Sequence, residues 1–129
     1  TVFGCGCGKL FEGTPEIMTR SLEKILALPD DTQVCCAHEY TLTNIAFAMT
    51  IDSSNRALHQ REIADRDKRA QGLPTLPTRL ALEKATNPFL RFHDPGIIAI
   101  AEAYRGTSLP HPADVFGAIR AAKDAWDAR

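Results

Sequence analysis

The sequence predicts an α+β chain in which a short strand–helix–strand unit is followed by helices alone. Two observations carry this. Thr1-Val2-Phe3 and Val34-Cys35-Cys36-Ala37 are short apolar runs set beside turn formers, and such runs read as strands. From Thr41 onward the apolar residues instead recur at helical spacing, in segments bounded by capping residues, glycines and prolines. Strand, helix and strand within the first 37 or so residues suggest a piece of a layered sheet-and-helix architecture.

Taken in order, Thr1-Val2-Phe3 is broken by Gly4-Cys5-Gly6-Cys7-Gly8, a glycine-rich turn. Thr14-Pro15-Glu16 then supplies an N-cap, a proline at the first helical position and an acid in the first turn. Met18, Leu22, Ile25 and Leu26 form the apolar face of that helix, and Pro29 ends it. The second strand runs into Val34-Cys35-Cys36-Ala37. Leu42, Ile45, Ala46 and Met49 make the stripe of the next helix, and Asp52-Ser53-Ser54-Asn55 is a loop with capping residues. Arg56 to Gln71 is a strongly charged helix closed by Gly72. Its charges are of mixed sign from Arg61-Glu62 through Arg69, which reads as a solvated face. Pro74 and Pro77 bracket an extended linker. A short helix near Thr78 to Lys84, a turn at Asn87-Pro88-Phe89-Leu90-Arg91, and helices from about Pro95 to Tyr104 and Pro112 to Ala128 complete the chain.

The bulk numbers narrow the function. With 129 residues, 44% hydrophobic and 24% charged, the chain fits one globular unit with a modest core. Fifteen Lys and Arg against sixteen Asp and Glu leave a formal net charge of -1. The whole-chain field therefore steers toward neither nucleic acid nor an anionic membrane, and any anion site must be local. No apolar stretch approaches the roughly 18 residues needed to span a bilayer, and no signal pattern opens the chain. A cytoplasmic location is the default expectation. The opening in strand character, without Met, polar lead-in or cap, suggests a chain cut from something larger.

The four cysteines, Cys5-x-Cys7 and the adjacent Cys35-Cys36, have poor spacing for a zinc knuckle. Vicinal residues of a strand face opposite ways, so small, buried, reduced cysteines are the expectation. In "VCCAHEY", residues 34 to 40, a histidine, an acid and a phenol end an apolar run without an evident packing purpose. A strand-end binding site is the reading that explains them. On the last helix, at about 100° per residue from Phe116, Ile119, Trp126 and Val115 fall between about 260° and 300°. Lys123 falls at about 340°, inside that stripe, and Arg120 at about 40°, at its edge. Two readings stand for these cations: both snorkel past the stripe into water, or both frame a carboxylate or phosphate in a groove.

Four motifs occur in register along the chain: Gly6-Cys7-Gly8-Lys9-Leu10-Phe11-Glu12-Gly13, Cys36-Ala37-His38-Glu39-Tyr40-Thr41, Asn87-Pro88-Phe89-Leu90-Arg91 and Arg120-x-x-Lys123-Asp124. Together they closely resemble the C-terminal half of hydroxyacylglutathione hydrolase, the glyoxalase II branch of the metallo-β-lactamase fold. The resemblance implies that residues 1–50 are the C-terminal part of an αββα sandwich, contributing two strands and a helix, and that residues 51–129 form a helical substrate-binding domain. It implies hydrolysis of the thioester S-D-lactoylglutathione to D-lactate and glutathione, in methylglyoxal detoxification. It also implies two divalent metal ions, zinc above all, with iron or manganese as alternatives. Such a pair lowers the pKa of a bridging water and polarises the thioester carbonyl, and neutral imidazole suits these metals.

By resemblance His38 is a metal ligand, the sole one of the expected set in this sequence; the T-H-x-H-x-D-H motif and the bridging aspartate are absent from it. By resemblance too, Arg120 and Lys123 contact the glycyl carboxylate of glutathione, while Lys9 and Tyr40 add hydrogen bonds. Phe11 stands where some relatives carry tyrosine, so an aromatic wall remains without its hydroxyl. His59, His93 and His111 match no metal motif and are read as surface or structural. Two other functions compete: a related glutathione enzyme such as an iron persulfide dioxygenase, and a non-catalytic helical interaction module with a small metal site. "CAHEYT" and "RAAKD" favour the hydrolase.

Overall fold

The computed structural model describes all 129 residues. A two-residue turn joins β1 (Val2–Phe3) to β2 (Gly6–Cys7), which pair antiparallel with Val2 opposite Cys7 and Phe3 opposite Gly6. Thr14 opens α1 (Pro15–Leu26) by accepting a hydrogen bond from the Ile17 amide. A second antiparallel pair joins β3 (Gln33–Val34) to β4 (Thr78–Arg79). The remaining helices are α2 (Thr41–Ile51), α3 (Arg56–Ala70), α4 (Leu80–Thr86), α5 (Pro95–Arg105) and α6 (Pro112–Asp127), with one 3-10 turn at Pro88–Leu90. The molecule is thus α+β and mainly helical.

The helices start and stop where local chemistry directs. Asn55 caps α3 through the Leu58 amide, and Asp94 caps α5 through that of Gly96. The end of α3 is a Schellman closure in which Leu73 N–H reaches Lys68 O and Gly72 N–H reaches Arg69 O, with Gly72 at φ +73°. Helices α1 and α5 pack on α6. Between them lies the main core, built on Leu22, Phe47, Phe89, Phe92, Ile97, Phe116 and Ile119, none more than 2% exposed. Each such side chain contributes about 1.5–3 kcal/mol by leaving water, so this cluster dominates the driving force. A smaller cluster of Cys5, Ile45, Ala48 and Leu58 lies beneath the first turn.

Several expectations need correction. The second strand stops at Val34; Cys35, Cys36 and Ala37 are irregular, so His38 sits on a bend between β3 and α2. The two strands read from sequence each find a different partner, β1 pairing with β2 and β3 with β4, a topology that their sequence left open. Cys5 and Cys7 are buried as expected, but Cys35 is exposed and Cys36 half-buried, since the strand that would have covered them is absent. Thr78 and Arg79 pair as β4 before α4 begins.

Helix α3 is also not solvated throughout. Arg61 and Asp65 are 3% and 4% exposed, and Arg61 Nη1 meets Glu83 Oε2 of α4 at 2.6 Å. Glu83, fully buried, accepts from Thr78 Oγ1 at 2.9 Å, Asn87 Nδ2 at 3.1 Å and the Cys5 amide at 2.9 Å. Such a pair withstands burial when its remaining polar groups are satisfied; the Glu83 oxygens are, whereas Arg61 Nη2 is buried without a hydrogen-bond partner. Burial opposes the Arg61 charge, yet Glu83 outweighs it and holds the guanidinium pKa above its usual value.

This polar knot fixes the β1–β2 turn. Cys5 adopts φ +57°, a left-handed conformation unfavourable for a residue with a Cβ. Its captured amide offsets that strain. On either side, Asn44 Nδ2 donates to Gly4 O at 3.0 Å, and Asn87 Nδ2 to Gly6 O at 3.0 Å. A Cβ added at Gly4 would lie 2.2 Å from Thr41 Oγ1, and one at Gly6 2.4 Å from Asn44 Nδ2. The alternating glycines of "GCG" therefore let α2 close directly onto the turn.

Candidate functional site

The clamped turn sends β2 and the following loop past the end of α6, while the bend before α2 comes up on the other side. A groove of about 720 Å³ opens between these three segments. Lys9, Phe11, His38, Tyr40, Arg120 and Lys123 all line it. The structure thus brings these six residues to one concavity, while Glu39, singled out with His38 and Tyr40, is not among its lining residues. Among the groove's lining residues are three cationic side chains, Lys9, Arg120 and Lys123, and one carboxylate, Asp127. A chain of net charge -1 therefore has a locally positive concavity.

Arg120 and Lys123 do not snorkel into bulk water; they are 4% and 6% exposed. Arg120 is held on several sides. Its Nη1 donates to Cys7 O at 3.0 Å, its Nε and Nη2 donate to Asp124 Oδ1 at 3.0 and 2.8 Å, and its guanidinium lies 5.1 Å from the Phe89 ring centroid. Lys123 Nζ donates to Asp127 Oδ1 at 2.7 Å and lies 5.3 Å from the Trp126 ring centroid. Lys9, on the loop after β2, is exposed and forms no ion pair within the chain.

On the opposite wall the His38 and Tyr40 rings stack in near-parallel planes, 5° apart with centroids at 5.2 Å. Phe3 of β1 tilts against both, at 6.1 Å from His38 and 5.1 Å from Tyr40. Phe11, 87% exposed, stands at the rim. Glu39, between the two rings in sequence, serves a different purpose. It accepts from the Thr75 amide and from Thr75 Oγ1, each at 2.7 Å, tying the bend to the linker before β4. Burial opposes its charge, but the two Thr75 donors outweigh that and hold its carboxyl below the usual glutamate range.

Sequence reasoning missed Phe3, Asn44 and Asp127 as lining residues, and the Cys7 carbonyl as the anchor of Arg120. The i,i+4 spacings Arg120–Asp124 and Lys123–Asp127 are visible in the sequence and could have supplied the two acids. The Cys7 contact spans 113 positions and has no local signal. The groove cysteine is not a ready nucleophile: burial pushes the Cys7 thiol up to about 11 despite Arg120 beside it. His59, His93 and His111 are all exposed and lie outside this groove. A second, more open depression between α1 and the start of α6, lined by Glu16, Glu23, His111 and Asp114 among others, holds none of the site residues.

The residues present do not make up a metal centre. No three His, Cys, Asp or Glu side chains converge anywhere in the chain. His38 offers one exposed imidazole. The groove sets buried, oriented cations on one side against stacked aromatic rings on the other, an arrangement chemically suited to an anion.

The profile of the family described as hydroxyacylglutathione hydrolase C-terminus matches residues 39–126. The chain is 63% identical over 127 residues to the hydroxyacylglutathione hydrolase of Thiobacillus denitrificans, covering 98% of this chain and 50% of that protein. It is 55% identical over 120 residues to the enzyme of that name from Nitrosomonas europaea, covering 93% and 46%, and 48% identical over 128 residues to that of Xanthomonas campestris pv. campestris, covering 99% and 50%. The chain spans about half the length of these curated relatives.

Proposed function

The chain belongs to the hydroxyacylglutathione hydrolase family, and from that premise we propose that its groove is the glutathione-binding face of an enzyme that hydrolyses S-D-lactoylglutathione to D-lactate and glutathione. One observation carries the reading. Lys9, Phe11, His38, Tyr40, Arg120 and Lys123 come from distant parts of the sequence and meet in one concavity. In this reading Lys123, with Arg120 behind it, pairs the glycyl carboxylate; Lys9 and the Tyr40 hydroxyl take further polar groups of the tripeptide; and Phe11 walls the rim.

His38 then faces the acyl end, as one ligand of the divalent metal pair that the family resemblance implies, zinc above all. The other ligands are not in this chain, and neither is a complete set of groups for the hydrolytic step. The chain's own contribution is to bind and orient, which lowers the entropic cost of bringing the thioester to the reacting centre. The same reading gives a cytoplasmic, monomeric enzyme with a small-molecule substrate. No helix is long and apolar enough to cross a membrane. The domain division at residue 50 belongs to this proposal too, with the understanding that the main core draws on both sides of it, from Leu22 and Phe47 to Phe116.

Calorimetric titration of glutathione into the 129-residue chain tests the proposal. Saturable binding is expected, weakened in Lys123→Met by roughly 1–3 kcal/mol, the range of a charge-assisted hydrogen bond. An affinity unchanged in that variant, with a raised melting temperature, would show instead that Lys123 is only an ill-placed cation on an apolar stripe.

A further inference from the structure

Asp127 sits in the groove and holds the cation assigned to the ligand. Its Oδ1 accepts from Lys123 Nζ at 2.7 Å, and its Oδ2 lies 3.7 Å from Arg120 Nη2. One carboxylate therefore bridges both cations, which is the role that the proposed reading gives to the ligand's carboxylate. Helix stability does not explain its position. An acid in the last turn of a helix opposes the macrodipole, and Lys preceding an acid at i,i+4 is the weaker orientation of such a pair.

The free capacity of the cations points the same way. Arg120 spends its Nε and Nη2 donors on Asp124 and one Nη1 donor on Cys7 O. Lys123 has Asp127 as its one carboxylate partner. The Lys123 side chain is 7% exposed whereas that of Asp127 is 26% exposed, so the acid is the partner with water on its free side. An unpaired ammonium at that depth would carry a heavy desolvation penalty. A carboxylate that leaves when another arrives avoids it.

We propose that Asp127 is an internal stand-in for the ligand's carboxylate: it occupies the Lys123–Arg120 site in the free protein and must be displaced for glutathione to bind. It is a residue that sets affinity and release, and it never touches the reacting thioester. The inference rests on the glutathione reading of the groove. Each binding event exchanges one ion pair for another, so affinity falls short of what the cations alone would give, and a carboxylate-bearing product is released more readily. The exchange also selects for a charged terminus, because an amide in the same position cannot displace a carboxylate from an ammonium.

The test compares glutathione dissociation constants for the wild-type chain, Asp127→Asn and Lys123→Met by calorimetry, at low and high salt, with melting curves to confirm folding. Asp127→Asn is expected to bind glutathione about three- to tenfold more tightly than wild type at low salt and to lose that advantage at high salt, because the groove then gains a net charge on losing its competitor. Lys123→Met is expected to bind more weakly than either. Binding in Asp127→Asn that equals or falls below wild type, while Lys123→Met remains weaker, overturns the stand-in and leaves the glutathione reading intact. Glutathione binding that Lys123→Met does not weaken overturns both, as does its absence from all three proteins.

Discussion

Lys123 and Arg120 lie one turn apart on α6, yet their surroundings assign them different tasks. Arg120 is a tie between helix and turn: its guanidinium holds the Cys7 carbonyl and Asp124 and packs on Phe89. Arg120→Met therefore strips a buried carbonyl of its donor, and it should cost about 1–3 kcal/mol in urea unfolding as well as weakening any ligand. The cysteines make a second residue-scale prediction. Burial pushes the Cys5 thiol up to about 12 and Cys7 up to about 11, so neither holds appreciable thiolate at neutral pH, whereas Cys35 is exposed. Iodoacetamide on the native chain should label Cys35 first and leave Cys5 and Cys7 unmodified, as read by peptide mass spectrometry; early labelling of Cys7 would contradict its enclosure. At this scale the sequence was partly legible. Angular position alone singled out Lys123 and Arg120, because helical geometry converts spacing into direction. What they touch was illegible, since Cys7 lies 113 residues away.

The helices were readable as elements because caps, prolines and glycines act locally: Thr14, Asn55, Asp94 and Gly72 each stand where the chain enters or leaves a helix. The errors arose wherever a partner was remote. Mixed charges made α3 look solvated, whereas Arg61 finds Glu83 of α4 and is buried by it. Thr78-Arg79 becomes a strand only because Gln33-Val34 lies beside it. Removing one partner of the buried pair leaves the other charge uncompensated, so Arg61→Met should cost roughly 3–5 kcal/mol in urea unfolding. It should also loosen the turn that Glu83 holds through the Cys5 amide. The tether from Glu39 to Thr75 has a pH signature. Its folded pKa lies below the ordinary value, so its contribution is full above that value and is lost as pH falls through the folded pKa. Melting temperatures of wild type and Glu39→Gln should therefore differ at pH 7 and converge as the pH drops below the usual glutamate range of about 4.3. A constant gap across that range would show that the carboxylate charge is not what holds the bend.

At the largest scale, α1 and α5 pack on α6, while the clamped first turn with its following loop, the bend before α2, and α6 supply the groove's walls, so its lining comes from separate segments rather than from one contiguous motif. With one imidazole in the groove and no converging set of donors, the chain by itself should show no appreciable turnover of S-D-lactoylglutathione; turnover matching that of a full-length relative would refute the division of labour proposed here. Every functional assignment to this groove depends on its reception of glutathione. The most direct measurement of that reception is a ¹H–¹⁵N NMR titration of the labelled 129-residue chain with glutathione. The account predicts saturable shifts concentrated at Lys9, Phe11, His38, Tyr40, Arg120 and Lys123. Shifts centred instead on Glu16, Glu23, His111 and Asp114 in the second depression, or no shifts at all, would contradict it.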